Sequence, residues 1–156
     1  MPSLRFIVRY FEELVASAAL IVVILSVCWG VLTRYVTAQP APWAGELAVL
    51  GFAWVVFFGA SACFKYKLHP SIDMLTSSLP SSAARAVRLL VHALVLGFCA
   101  YMVWFGVRFS IDAWDNPTSV LRWPLTVLYG PVTFGFALMI VRYVERLVAD
   151  SRQAGA

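Results

Sequence analysis

The stretch Leu14–Thr33, LVASAALIVVILSVCWGVLT, contains no Asp, Glu, Lys or Arg in its 20 residues. At 1.5 Å per helical residue it is about 30 Å long, the thickness of the hydrocarbon core of a bilayer. Three further stretches share the property: Leu47–Phe64, Leu89–Val107 and Trp123–Val141. Only a helix satisfies its own backbone within one segment at lipid depth, so these four runs predict an all-α integral membrane protein. The expected spans are residues 14–35, 46–65, 87–108 and 123–145, in a single membrane domain covering 1–156.

Composition agrees. The chain is 62% hydrophobic and 13% charged, with mean hydropathy +0.82, whereas soluble domains are about one quarter charged. Four spans in 156 residues leave only short loops and tails, with no room for a soluble catalytic domain. The net charge of +4 is a topology signal rather than a nucleic-acid footprint, because the basic residues bunch at span ends. Arg5, Arg9, Lys65, Lys67, Arg85, Arg88, Arg142, Arg146 and Arg152 share one side; Arg34, Arg108 and Arg122 share the other. Nine against three predicts both termini and the middle loop in the cytoplasm.

Punctuation between the spans follows the same logic. Gln39-Pro40-Ala41-Pro42 stops the first helix, since proline lacks the amide donor and restricts its predecessor. The segment ahead of Leu14 mixes apolar and charged residues and suits the cytoplasmic interface. Between spans 2 and 3, Ile72, Leu75 and Leu79 recur at helical spacing. They predict a short interfacial helix over about 71–79, too short to cross. Pro124, Gly130, Pro131 and Gly135 predict an irregular outer start to span 4, where a neighbouring helix would satisfy any carbonyl freed by proline. Small residues four apart, Ser26/Gly30, Ala44/Ala48 and Ala93/Gly97, predict close helix contacts.

Chemistry-bearing residues are few. Cys28, Cys63 and Cys99 are odd in number, lie at lipid depth and have no paired spacing, which predicts apolar packers rather than a disulfide or metal site. His92 reads as a hydrogen-bonded interfacial residue; a bis-histidine haem with His69 would need both imidazoles in one cavity. Glu13 and Glu46 each open an apolar run, and a proton relay would need one of them desolvated. For Glu46, attraction to the helix N-terminus is the simpler account. No phosphate loop, zinc spacing or nucleophile constellation is present, so the sequence predicts neither an enzyme nor a cofactor protein.

Several of these residues also form a family pattern. Glu46-Leu47-Ala48, Trp54, Phe57, Gly59-Ala60, His69 and Asp73, followed by Leu121, Pro124, Tyr129, Pro131 and Gly135, resemble the small permease (DctQ-like) subunit of tripartite ATP-independent periplasmic (TRAP) transporters. The resemblance implies a bacterial inner-membrane protein whose partners are a large permease subunit, a periplasmic substrate-binding protein and membrane lipid. It further implies sodium-coupled import of an organic acid, with substrate and sodium sites on the large subunit and this chain widening its static scaffold. Carried over residue by residue, Glu46, Trp54, Gly59, Tyr129 and Pro131 are candidate large-subunit contacts. His69 and Asp73 would set the cytoplasmic interfacial helix. The outer residues Arg108, Asp112, Asp115 and Arg122 are candidate docking contacts for the binding protein. On this view no ionisable residue is buried. Two other readings stay open: a haem- or quinone-associated anchor of a respiratory oxidoreductase, and a small proton-coupled multidrug exporter.

Overall fold

The computed structural model describes residues 2–65 and 80–154. Four helices account for nearly all of them: α1 Pro2–Tyr35, α2 Pro42–Lys65, α3 Ser81–Asp112 and α4 Thr126–Ala154. Each contains a segment long and apolar enough to cross a membrane: Tyr10–Tyr35, Pro42–Lys65, Ala83–Asp112 and Thr126–Val148. Among the described residues there is no β-strand, only an isolated bridge between Pro117 and Pro124. The expected interfacial helix at 71–79, with His69 and Asp73, lies outside the described residues.

Helix ends depart from the apolar runs in instructive ways. α1 extends back to Pro2 but is broken at Tyr10, whose φ of −112° and ψ of 18° leave the helical region. The mixed-charge segment and the span therefore form two helical pieces meeting at a kink. α3 is longer than its apolar run at both ends, taking in Arg85 and Arg88 ahead of it and Arg108 to Asp112 after it. α4 begins at Thr126, after Trp123–Leu125 have passed through a loop.

Neighbouring helices approach in the order α1–α2–α4–α3. Among the described residues, backbones come within 8 Å only between members of that row, so α1 and α3 are its edges. Glycine sets three of the contacts. A Cβ on Gly51 would lie 2.9 Å from Val23 Cγ2 of α1. One on Gly135 would lie 2.7 Å from Phe57 Cβ and 3.0 Å from its carbonyl, and one on Gly106 would lie 2.5 Å from Thr133 Oγ1. Without a hydrophobic effect between helices in lipid, such close approach is what holds neighbours together.

The row is thin. Its described core comprises Ala44, Ala48, Leu50, Phe58, Ala84, Cys99, Ala113 and Met139, while large apolar side chains such as Ile21, Leu25, Leu90 and Leu94 remain more than half exposed. In water that pattern would aggregate; in a bilayer the exposed surface is where acyl chains lie.

Candidate interaction sites at the two membrane surfaces

Glu46 occupies the first turns of α2 at the outer end. Its Oε2 accepts hydrogen bonds from the backbone amides of Val120 and Leu121, both at 2.9 Å. Those amides belong to a tight loop closed on itself: Thr118 N–H donates to the Trp123 carbonyl at 2.7 Å, and Trp123 N–H to Thr118 Oγ1 at 3.1 Å. Arg122 completes the turn with φ of 57°, a left-handed conformation that costs a non-glycine residue free energy. The carboxylate thus fixes the outer loop onto α2. A cleft of about 310 Å³ lies beneath, lined by Val49, Leu50, Leu125 and Leu128 with Pro117–Val120 above.

Trp54 and Pro131 form one device at lipid depth. Pro131 has no amide hydrogen, so the carbonyl four residues earlier, that of Val127, loses its helical partner. Trp54 Nε1 donates to that carbonyl at 3.2 Å across the α2–α4 contact. Pro131 is fully buried, and Trp54 stacks on Phe58 with ring centroids 5.4 Å apart. The structure realises the expectation that a neighbouring helix would satisfy the carbonyl freed by proline.

The inner end carries a charge cluster that the sequence reading missed. Glu12 is 0% exposed, which corrects the expectation that no ionisable residue is buried. Its Oε1 accepts from Arg142 Nε at 2.7 Å, and its Oε2 lies 3.8 Å from Lys65 Nζ. Lys65 donates to Glu13 Oε1 at 2.7 Å and sits 4.9 Å over the Tyr10 ring, beside the kink. Arg142 also reaches Glu145 at 3.1 Å. Three helices, α1, α2 and α4, are joined at one carboxylate. A signal for this was present: Ala16, Ala19, Val23, Ser26 and Gly30 form the inward stripe of α1, none of them exposed. Continuing the stripe back by one turn reaches Glu12, not Glu13.

The remaining candidates separate clearly. Tyr129 packs edge-on against Phe109 with centroids 5.6 Å apart, inside the α3–α4 contact. Gly59 has nothing within 4 Å of a notional Cβ. Arg108, Asp112, Asp115 and Arg122 are all exposed at the outer end. Arg108 lies over the Trp104 ring at 5.7 Å, and the Asp112 carbonyl accepts from Asn116 Nδ2 at 3.2 Å. His92 Nδ1 is 2.6 Å from the Tyr143 hydroxyl, so the interfacial hydrogen bond expected of it is present. Ala44 and Ala48 are buried, and a Cβ on Gly30 of α1 would lie 3.5 Å from Ala44 Cβ, whereas Ala93 and Gly97 are exposed. The three cysteines are free thiols.

The sequence profile of the DctQ component of tripartite ATP-independent periplasmic transporters matches residues 23–153. The chain belongs to this family. Its members are transport components, so this DctQ-family protein is not an enzyme, and it is a multi-pass inner-membrane protein. It is 27% identical over 154 residues to the sialic acid TRAP transporter small permease protein SiaQ of Vibrio cholerae, covering 94% of this chain and 85% of that one. It is 30% identical over 121 residues to the sialic acid TRAP transporter permease protein SiaT of Haemophilus influenzae, covering 74% of this chain but only 19% of SiaT. It is 26% identical over 105 residues to the C4-dicarboxylate TRAP transporter small permease protein DctQ of Rhodobacter capsulatus, covering 66% of this chain and 46% of that one. Glu46, Trp54 and Pro131 fall inside the family match, while Glu12 precedes it.

Proposed function

We propose that this chain is the small membrane subunit of a TRAP secondary importer. It pairs with a large permease subunit as part of the static scaffold, and both its termini are cytoplasmic. The importer takes up an organic acid under a sodium gradient, delivered by a periplasmic substrate-binding protein. Sialic acid and C4-dicarboxylates, named for the relatives, are both carboxylates and support that substrate class.

The observation that carries the scaffold role is how the carboxylates of Glu12, Glu13 and Glu46 are used. Glu46 is bound to two loop amides, and Glu12 and Glu13 are bound to Arg142 and Lys65. Groups committed to holding helices and loops are poor ion carriers, because transport requires a site that binds and then releases. The same pairings weigh against a proton-coupled exporter built on Glu13 or Glu46. The basic residues of the inner end, Lys65 and Arg142 among them, support the cytoplasmic placement.

Co-purification tests the pairing. The chain, expressed with its cognate large permease, should emerge from mild detergent as a complex of defined stoichiometry. Separate elution of the two, each folded, would remove the basis for the proposal.

A further inference from the structure

We infer that the stripe Gly45, Val49, Phe52, Val56 and Gly59 of α2, with the cleft at its outer end, seats an apolar membrane helix of the large permease subunit. This rests on the pairing proposed above and adds the face through which it occurs. α2 is an interior member of the row, and two of its sides are taken. Ala44 and Gly51 meet α1, while Trp54 and Phe57 meet α4. The third side is bare: Val49 is 61% exposed, Phe52 58% and Val56 43%. Residues 45 to 59 rise about 21 Å at 1.5 Å each, most of the hydrocarbon depth.

Two features distinguish this face from one made for lipid. The first is its glycines. Gly51, Gly106 and Gly135 stand where a Cβ would meet a neighbouring helix, but Gly45 and Gly59 have nothing within 4 Å. A helical glycine costs backbone entropy relative to alanine and gains nothing against fluid acyl chains. Against another helix it permits close approach. By contrast, the exposed side of the edge helix α1 presents Ile21, Ile24, Leu25 and Leu32. The second is the cleft, contiguous with the stripe through Val49 and walled by Leu50, Leu125 and Leu128. It has room for one or two bulky apolar side chains, and the loop pinned by Glu46 gives it a fixed outer lip. Gly97, beside the exposed Ala93 on α3, and Gly130 on α4 also lack neighbours, but neither lines the cleft.

The occupant follows from depth and chemistry. An uncharged stripe within the membrane cannot meet a water-soluble protein. In SiaT the region similar to this chain is 19% of one permease chain, so a region of this kind stands there beside a permease body. A helix of the corresponding large subunit is the partner the stripe fits.

The test is site-specific photo-crosslinking in membranes that co-express the chain with its large permease. A photoreactive phenylalanine analogue replaces Val49, Phe52 or Val56 in turn; Ile24 on α1, Leu94 on α3 and Phe134 on α4 serve as controls. The expected result is an adduct of the two subunits' combined mass from the α2 positions and none from the controls. Adducts confined to the controls, an adduct of twice this chain's mass, or no adduct from α2 in a complex that still co-purifies would each overturn the assignment. Gly59→Leu gives an independent reading. Its side chain enters open space in the isolated chain, so thermal unfolding of that chain should be unchanged while co-purification is lost. Retained co-purification by Gly59→Leu would count against the seat. Failure of the wild-type pair to co-purify would instead remove the pairing itself, and the seat with it.

Discussion

The two ends of this protein use carboxylates in opposite ways. At the outer end Glu46 is paired with backbone amides of a loop, and no helix is joined to another by it. At the inner end Glu12 is paired with a guanidinium and an ammonium, and three helices meet on it. An amide pair is a directional dipole contact that shapes a local segment. A buried ion pair carries its own desolvation cost, so losing one partner leaves an uncompensated charge. The outer carboxylate should therefore govern loop geometry, and the inner one the integrity of the row.

The largest effect expected is at Glu12. Glu12→Ala removes the buried carboxylate that Arg142 and Lys65 share, leaving Arg142 with the exposed Glu145 and Lys65 with Glu13, and should cost about 3 kcal/mol, the low end of the penalty for breaking a buried ion pair. Thermal unfolding in detergent measures it. Glu13→Ala, at a position one quarter exposed, should cost under about 1 kcal/mol. Equal losses for the two would erase the distinction between adjacent glutamates.

Between the two ends, Trp54→Phe removes the donor to the half-buried Val127 carbonyl and should cost about 1–3 kcal/mol, because no water replaces that donor at lipid depth. Pro131→Ala restores an amide hydrogen within α4. In the Trp54→Phe background it should recover part of the loss, giving a coupling that a double-mutant cycle detects. Strict additivity would mean that the indole and the proline act separately.

Glu46→Ala should leave global unfolding within about 1 kcal/mol of wild type, since partly exposed polar contacts contribute little to the whole. Its signature is local: hydrogen exchange at the Val120 and Leu121 amides should accelerate while amides in α2 stay protected. A large drop in global stability would show that the outer carboxylate, like the inner one, ties helices together. Smallest of all should be Glu145→Ala, an exposed partner three residues from Arg142, worth only about 0.2–0.5 kcal/mol.

How far the sequence could be read follows the same division. The four spans were legible because a run of about 20 uncharged residues, in a chain this apolar, fits a bilayer and little else. Pro131's need for a neighbouring donor was legible because proline always frees a carbonyl, although the identity of the donor, Trp54, depended on which faces of α2 and α4 meet. Glu12 was hidden by its neighbour. Two adjacent glutamates look alike in sequence, and only the phase of the Ala16–Gly30 stripe, carried back toward the kink at Tyr10, selects the inward one. Glu46 was singled out by its place in the family pattern, yet its partners lie more than 70 residues away in a loop whose fold rests on Thr118, Trp123 and the left-handed Arg122. Nothing local encodes that pairing. The row order α1–α2–α4–α3 was likewise beyond reach, since it depends on which glycine notch receives which neighbour.

The central claim is that this chain supports transport without carrying substrate itself. Uptake of a radiolabelled organic acid into proteoliposomes under an inward sodium gradient, with the binding protein present, tests it most directly. The account predicts uptake when the large permease and this chain are reconstituted together, and none from this chain alone or from the large permease without it. Full uptake by the large permease alone, or uptake by this chain alone, would contradict it.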